Sequence, residues 1–187
     1  MALVDRVKNI LLTPRTEWPV IAGEAATVQS LYVGYILILT AIGPIAMAIR
    51  GGIFGATAAL VGYGVGLAVT YLLALIVDVL APTFGGEKNF MQSLKLTAYS
   101  YTAAWIAGVF NLIPGIGGII ALIGAIYSFY TFFLGVTVMK KCPQDKAIAY
   151  TIVVVICGLL LGLALGGVLM SVLVGGSAGM MGLGMMH

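Results

Sequence analysis

The chain has 187 residues, of which 61% are hydrophobic and only 8% charged, with a net charge of +3. A soluble domain of this length carries roughly 25% charged residues, so composition excludes an ordinary water-soluble fold and leaves no room for a soluble catalytic domain. The small positive excess is spread over short loops rather than gathered on one face, which excludes nucleic acid as a partner and makes the lipid bilayer the expected one.

Residues Leu3, Val4, Val7, Ile10 and Leu11 recur at helical spacing with Asp5, Arg6, Lys8 and Asn9 between them, the pattern of a short amphipathic helix. It is too short to span. It reads either as an interfacial helix lying on the inner leaflet or as a helix packed against the inner end of the bundle. Thr13-Pro14 ends it and begins a second short helix, where Trp18 suits the headgroup layer. No small-residue cleavage site follows Arg6 and Lys8, so this start is not read as a signal peptide.

A first span is expected over about 31–49, with a kink at Gly43-Pro44. Arg50-Gly51-Gly52 makes a tight turn, and a second span follows to Val77, closed by Asp78. Gly62 and Gly66 lie four residues apart, a spacing that lets helices approach closely. Residues 80–95 hold Pro82, Gly85, Gly86, Glu87 and Lys88 and read as a loop. The third span takes 96–113, with Ser93, Thr97, Ser100, Tyr101, Ala104, Gly108 and Asn111 on one stripe that should face protein. After the uncharged Pro114-Gly115 hairpin, a fourth span runs from about 116 to 139, with Tyr127, Ser128, Tyr130 and Thr131 near mid-depth, where their hydroxyls need partners. A lysine-rich loop precedes a fifth span over 147–173, which carries Gly158, Gly162 and Gly166 on one face. That face fits either self-association or internal packing.

The expected fold is therefore an all-α membrane protein of five transmembrane helices with an amino-terminal amphipathic interfacial helix. Its parts are a cytoplasmic segment 1–29, a membrane domain 30–174 and a flexible Gly/Met-rich outer tail 175–187. Of nine Lys and Arg residues, Arg6, Lys8, Arg15, Lys88, Lys95, Lys140, Lys141 and Lys146 fall on one side and Arg50 on the other. This bias puts the amino terminus in the cytoplasm and the carboxyl terminus outside.

Two cysteines at different depths, Cys142 in the lysine loop and Cys157 in a span, have no disulfide, zinc or redox spacing. Asp78 is an acid near hydrocarbon depth and a default functional candidate. With Tyr101, Asn111, Tyr127 and Tyr130 it could form a polar path for a cation or solute. The plainer alternatives are a solvated carboxylate near Lys88 or Lys95 and hydroxyls bonded between helices. Met180, Met181, Met185, Met186 and His187 offer soft donors suited to Cu(I), against the plainer view of a glycine-rich end or the start of a purification tag. The only histidine is the last residue, so no Ser/His/Asp or Cys/His set can assemble; neither catalytic residues nor a cofactor is expected.

Three stretches resemble the Yip (Ypt-interacting protein) domain family, in particular its bacterial branch: ILLTPRTEWPVIAGE, LTAYSYTAAWIAGVFNLIPG and FYTFFLGVTVMKKCPQDKA. They follow one another in the family's order over almost the whole chain. Two departures stand out: Ala103-Ala104 where many members have a proline, and no acidic amino-terminal region with an aspartate-leucine-tyrosine-glycine motif. The resemblance implies a five-span, non-enzymatic organiser of the bacterial inner membrane; the Gly158, Gly162 and Gly166 face would let it act as a homo-oligomer or with other membrane proteins. Eukaryotic members bind prenylated small GTPases and act in vesicle transport and membrane shaping; a bacterial chain lacks that partner set.

Overall fold

The structure, a computed structural model, describes residues 2–184, and the side chains of all of these except Phe54, Leu169, Met170 and 172–184. Helices α1 (Leu3–Leu12) and α2 (Pro14–Gly23) form a hairpin. Thr13, at φ −135° and ψ 54° outside the helical region, turns the chain while its N–H still reaches the Asn9 carbonyl, 2.8 Å away. Pro14 then opens α2 at the position where a missing N–H costs nothing.

The first long helical run starts at a reciprocal cap, in which the Thr27 and Ser30 side chains each accept from the other's backbone N–H. It continues as α3 (Val28–Leu31), a π-helical turn (Tyr32–Ile36) and α4 (Leu37–Thr40). It breaks at Ala41 before α5 (Ile42–Leu80). Pro44 has no N–H to offer the Thr40 carbonyl, so the disruption appears one turn upstream of the proline. The expected reversal at Arg50-Gly51-Gly52 is present: Gly52 has φ 56° and ψ −143°, which folds α5 into two arms.

A 3-10 turn (Ala81–Phe84) ends α5. The loop expected over 80–95 is much shorter, because Asn89 caps Gln92 and starts α6 (Phe90–Ser100) at once. The third span is where expectation and structure differ most. It is not one helix but α6, then α7 (Thr102–Ala107) and a 3-10 stretch (Gly108–Leu112). Side chains divert the backbone bonds at the break: the Thr102 hydroxyl donates to the Tyr99 carbonyl, and the Ala104 N–H donates to Ser128 Oγ of the next helix. That helix, α8 (Gly117–Met139), matches its expected bounds closely. The last, α9 (Gln144–Gly184), is longer than the span expected there and takes in residues 175–184.

Among the described residues, four helical runs are long and apolar enough to cross a membrane: Val28–Ile53, Gly55–Phe84, Gly117–Met139 and Gln144–Val168. The broken segment 90–112 is not one of them. It nevertheless connects the same two ends of the bundle, because Ser93 meets Lys140 at one end and the Asn111 carbonyl meets Arg50 at the other. Leu96 is part of the buried core together with Trp18, Leu73, Val77, Phe132, Val136 and Tyr150.

The hairpin α1–α2 belongs to that core. Trp18 is fully buried rather than placed in a headgroup layer, and its indole N–H donates to the Thr131 carbonyl at 3.0 Å. Gly135 makes room for it: a methyl there would lie 2.6 Å from the indole ring and 2.6 Å from Leu96. At the hairpin tip the Tyr127 hydroxyl donates to the Leu11 carbonyl at 2.5 Å. Tyr127 is halfway along α8, about 18 Å from Met139 at 1.5 Å per residue. The hairpin thus covers one half of α8 only. Beyond its tip an apolar groove of ≈ 330 Å³ stays open between Leu11, Ala103, Ile120 and Gly124.

Of the glycines expected to bring helices together, Gly66 faces Thr40 and Gly158 faces Leu73 and Tyr101, whereas Gly62, Gly162 and Gly166 have no described neighbour within 4 Å of an added methyl.

Candidate functional site

Two charged clusters lie at the end of the bundle where α1, α2 and the loops meet. In the first, Arg6 faces inward instead of outward with Lys8. Its guanidinium donates to Glu17 and to Glu24 and sits 5.6 Å from the centre of the Tyr99 ring. Asn9 donates to the other Glu17 oxygen at 3.3 Å. Lys95, also buried, donates to the carbonyls of Ile21 at 2.9 Å and Glu24 at 2.5 Å, capping the end of α2 as a cation should. Arg6 is 4% exposed, and a buried cation is tolerable only with such partners.

Periodicity alone put Arg6 on the solvent side. A clue was available, however: only six acids occur in the chain, and two of them, Glu17 and Glu24, follow Arg6 closely.

In the second cluster, Asp78 pairs with neither Lys88 nor Lys95. It accepts from Lys140 at 2.8 Å, from the Asn89 N–H at 2.7 Å and from Ser93 at 3.0 Å. Lys140 is fully buried, and its other donors reach the Asn89 carbonyl and the Ser93 hydroxyl. Burial lowers the Lys140 pKa from the ordinary lysine range, against the raising pull of Asp78. The cluster ties α5, α6 and α8 together. All three bonds that Asp78 accepts fall on its Oδ1.

The remaining members of the expected polar path lie apart. Tyr101 stacks on Trp105 and lines an apolar cavity of only ≈ 20 Å³ with Ser100 and Ser128. Tyr127 holds the hairpin tip. Tyr130 packs beside Tyr127 and is 42% exposed, and Asn111 is at the far end with Arg50. Tyr101, Tyr127 and Asn111 thus line three separate depressions.

Cys142 is not an open loop thiol. It is 3% exposed and donates to the Phe84 carbonyl at 3.2 Å, and burial pushes its pKa up. Among the described residues, no three His, Cys, Asp or Glu side chains gather where they could hold a metal. Of the expected Cu(I) donors, Met185, Met186 and His187 lie outside the described residues, and the side chains of Met180 and Met181 lie outside the described ones.

Sequence reasoning did not anticipate the polar cleft beside the first cluster. It has a volume of ≈ 360 Å³ and is lined by Arg6, Glu24, Ala25, Ala26, Ser30, Gly34, Tyr35 and Tyr99, with Leu3 and Leu31. The π-helical turn brings Gly34 and Tyr35 to its wall, and such turns often mark functional positions. Tyr35 and Tyr99 meet edge to face at 4.6 Å, and the Tyr35 hydroxyl bonds Thr102 at 2.7 Å.

Compared with known proteins, residues 8–183 match the family model described as the Yip1 domain. Neither a curated protein nor a solved structure matches the chain.

Proposed function

The chain belongs to the Yip1 domain family, and from that premise we propose that it is a non-enzymatic scaffold that organises and bends its membrane. The observation that carries this reading is the half-depth hairpin. With α6, α7 and the 3-10 stretch together serving as a fifth crossing segment, the outer half of the bundle holds five segments and the inner half seven. At one helix diameter each, the inner half is roughly 40% wider in cross-section. A protein of that shape fits a curved leaflet better than a flat one.

The cation bias supports a cytoplasmic side for the wide half, which suits the bacterial branch that the sequence resembles. The unfilled faces at Gly162 and Gly166 suit contact between copies or with another membrane protein. The separation of Asp78, Tyr101, Asn111, Tyr127 and Tyr130 gives transport no comparable support. For Cu(I) binding at the tail, the described residues supply no argument.

The test is curvature sorting. The purified protein, reconstituted in one orientation, should be denser on narrow tubules drawn from a vesicle than on the flat parent membrane, and opposite orientations should sort oppositely. Equal density on tubule and parent in both orientations would remove the bending role.

A further inference from the structure

The cleft beside Arg6 has the size of a small-ligand site, within the roughly 300–1,000 Å³ typical of such sites. Its chemistry is decided by which groups are already used. Arg6 donates to Glu17 and Glu24, and Lys95 donates to two backbone carbonyls. Arg6 lines the cleft, yet both cations are already engaged by acceptors of the protein itself, which disfavours an anion.

Both Glu17 oxygens are occupied, one by Arg6 and one by Asn9. Glu24 is different. Only one of its oxygens is bonded within the protein and its side chain is 42% exposed, so the second oxygen stays free to accept. The Tyr99 hydroxyl makes no hydrogen bond among the described residues, and the Tyr35 and Tyr99 rings supply aromatic faces. A free carboxylate oxygen, a free phenol and aromatic walls form an environment for a cation with several N–H donors.

We propose that the cleft binds an alkylammonium group, either the headgroup amine of a zwitterionic phospholipid or a free amine of the same chemistry. Glu24 supplies its unbonded carboxylate oxygen, Tyr99 a hydrogen bond and Tyr35 the aromatic contact. The inference does not depend on membrane bending, and the two can fail separately.

The experiment is native mass spectrometry of the purified full chain in detergent with equimolar phosphatidylethanolamine and phosphatidylglycerol. The expected result is preferential retention of phosphatidylethanolamine. Glu24→Gln should weaken retention roughly tenfold, the size of one charge-assisted hydrogen bond. Gly34→Leu fills the cleft from a position where an added methyl meets nothing within 4 Å, and leaves the Arg6 pairs in place; it should abolish the preference. Competition by free ethanolamine identifies the amine alone as ligand, and preference without competition identifies the whole lipid. Either result supports the site. If Gly34→Leu fails to fold, Tyr99→Phe takes its place and should weaken retention. Equal retention of the two lipids, or an undiminished preference in Glu24→Gln, overturns the proposal.

Discussion

Gly135→Ala tests whether the amino-terminal hairpin is part of the core. The new methyl would lie 2.6 Å from the Trp18 indole and 2.6 Å from Leu96, about 1 Å inside the favourable carbon–carbon separation. Neither neighbour can yield cheaply. Trp18 is fully buried and tied by its indole N–H to the Thr131 carbonyl, and Leu96 is fully buried as well. Overpacking of this kind costs about 1–3 kcal/mol, and loss of the indole bond adds about 1 kcal/mol. Trp18→Phe, which removes chiefly the bond and keeps an aromatic ring, should cost about 1 kcal/mol. Trp18→Ala, which empties the site, should cost about 3–5 kcal/mol. The assay is thermal unfolding of the detergent-solubilised protein, with the three variants ranked against the parent. A helix lying loosely on the membrane surface would leave all three unchanged. That outcome would refute the docked hairpin, and with it the widened inner half.

Other substitutions probe separate parts of the fold. Lys140→Met leaves Asp78 with only the Asn89 N–H and Ser93, and should destabilise by about 3 kcal/mol, the lower end of the range for a broken buried pair because Asp78 keeps some water contact; a neutral result in denaturant titration would show that the pair does not hold the helix ends. Cys142, buried and bonded to Phe84, should react with a maleimide only after denaturation, since burial disfavours its thiolate; fast labelling of the native protein at this position would contradict the packing of the loop. Gly162→Leu starts from a position where an added methyl meets no described neighbour within 4 Å and should shift stability by less than about 0.5 kcal/mol. Cross-linking that shows a changed oligomeric state at unchanged stability would assign this face to contacts between copies, whereas a large loss of stability would contradict the open face.

Local signals in the sequence were reliable where one segment decides its own structure. The uncharged run of α8, the reversal at Gly52 and the disruption near Pro44 each depend on neighbours within a few residues, and each is present, the last at Ala41 rather than at Gly43-Pro44. The third segment differs from a single helix in part because one of its interrupting bonds is made from outside. Ser128, on another helix, captures the Ala104 N–H, and no periodicity within 96–113 records that. Arg6 was placed on the wrong face, and the burial of Lys140 was not foreseen, for a related reason. Hydrophobic patterning puts every cation outside, while pairing across 11 residues to Glu17 and 62 residues to Asp78 brings these two inside. The cleft is harder still to foresee, since it depends on which oxygen of Glu24 is left over.

The bonds that seat the hairpin also impose a schedule on synthesis. Trp18 must wait for Thr131, 113 residues later, and Leu11 for Tyr127, 116 residues later. At translation rates of 5–20 residues per second, that delay is roughly 6–23 s. During the interval the first two helices exist without their receptor. An amphipathic stripe that can rest on the bilayer surface is a suitable holding state for helices whose receptor has yet to be made.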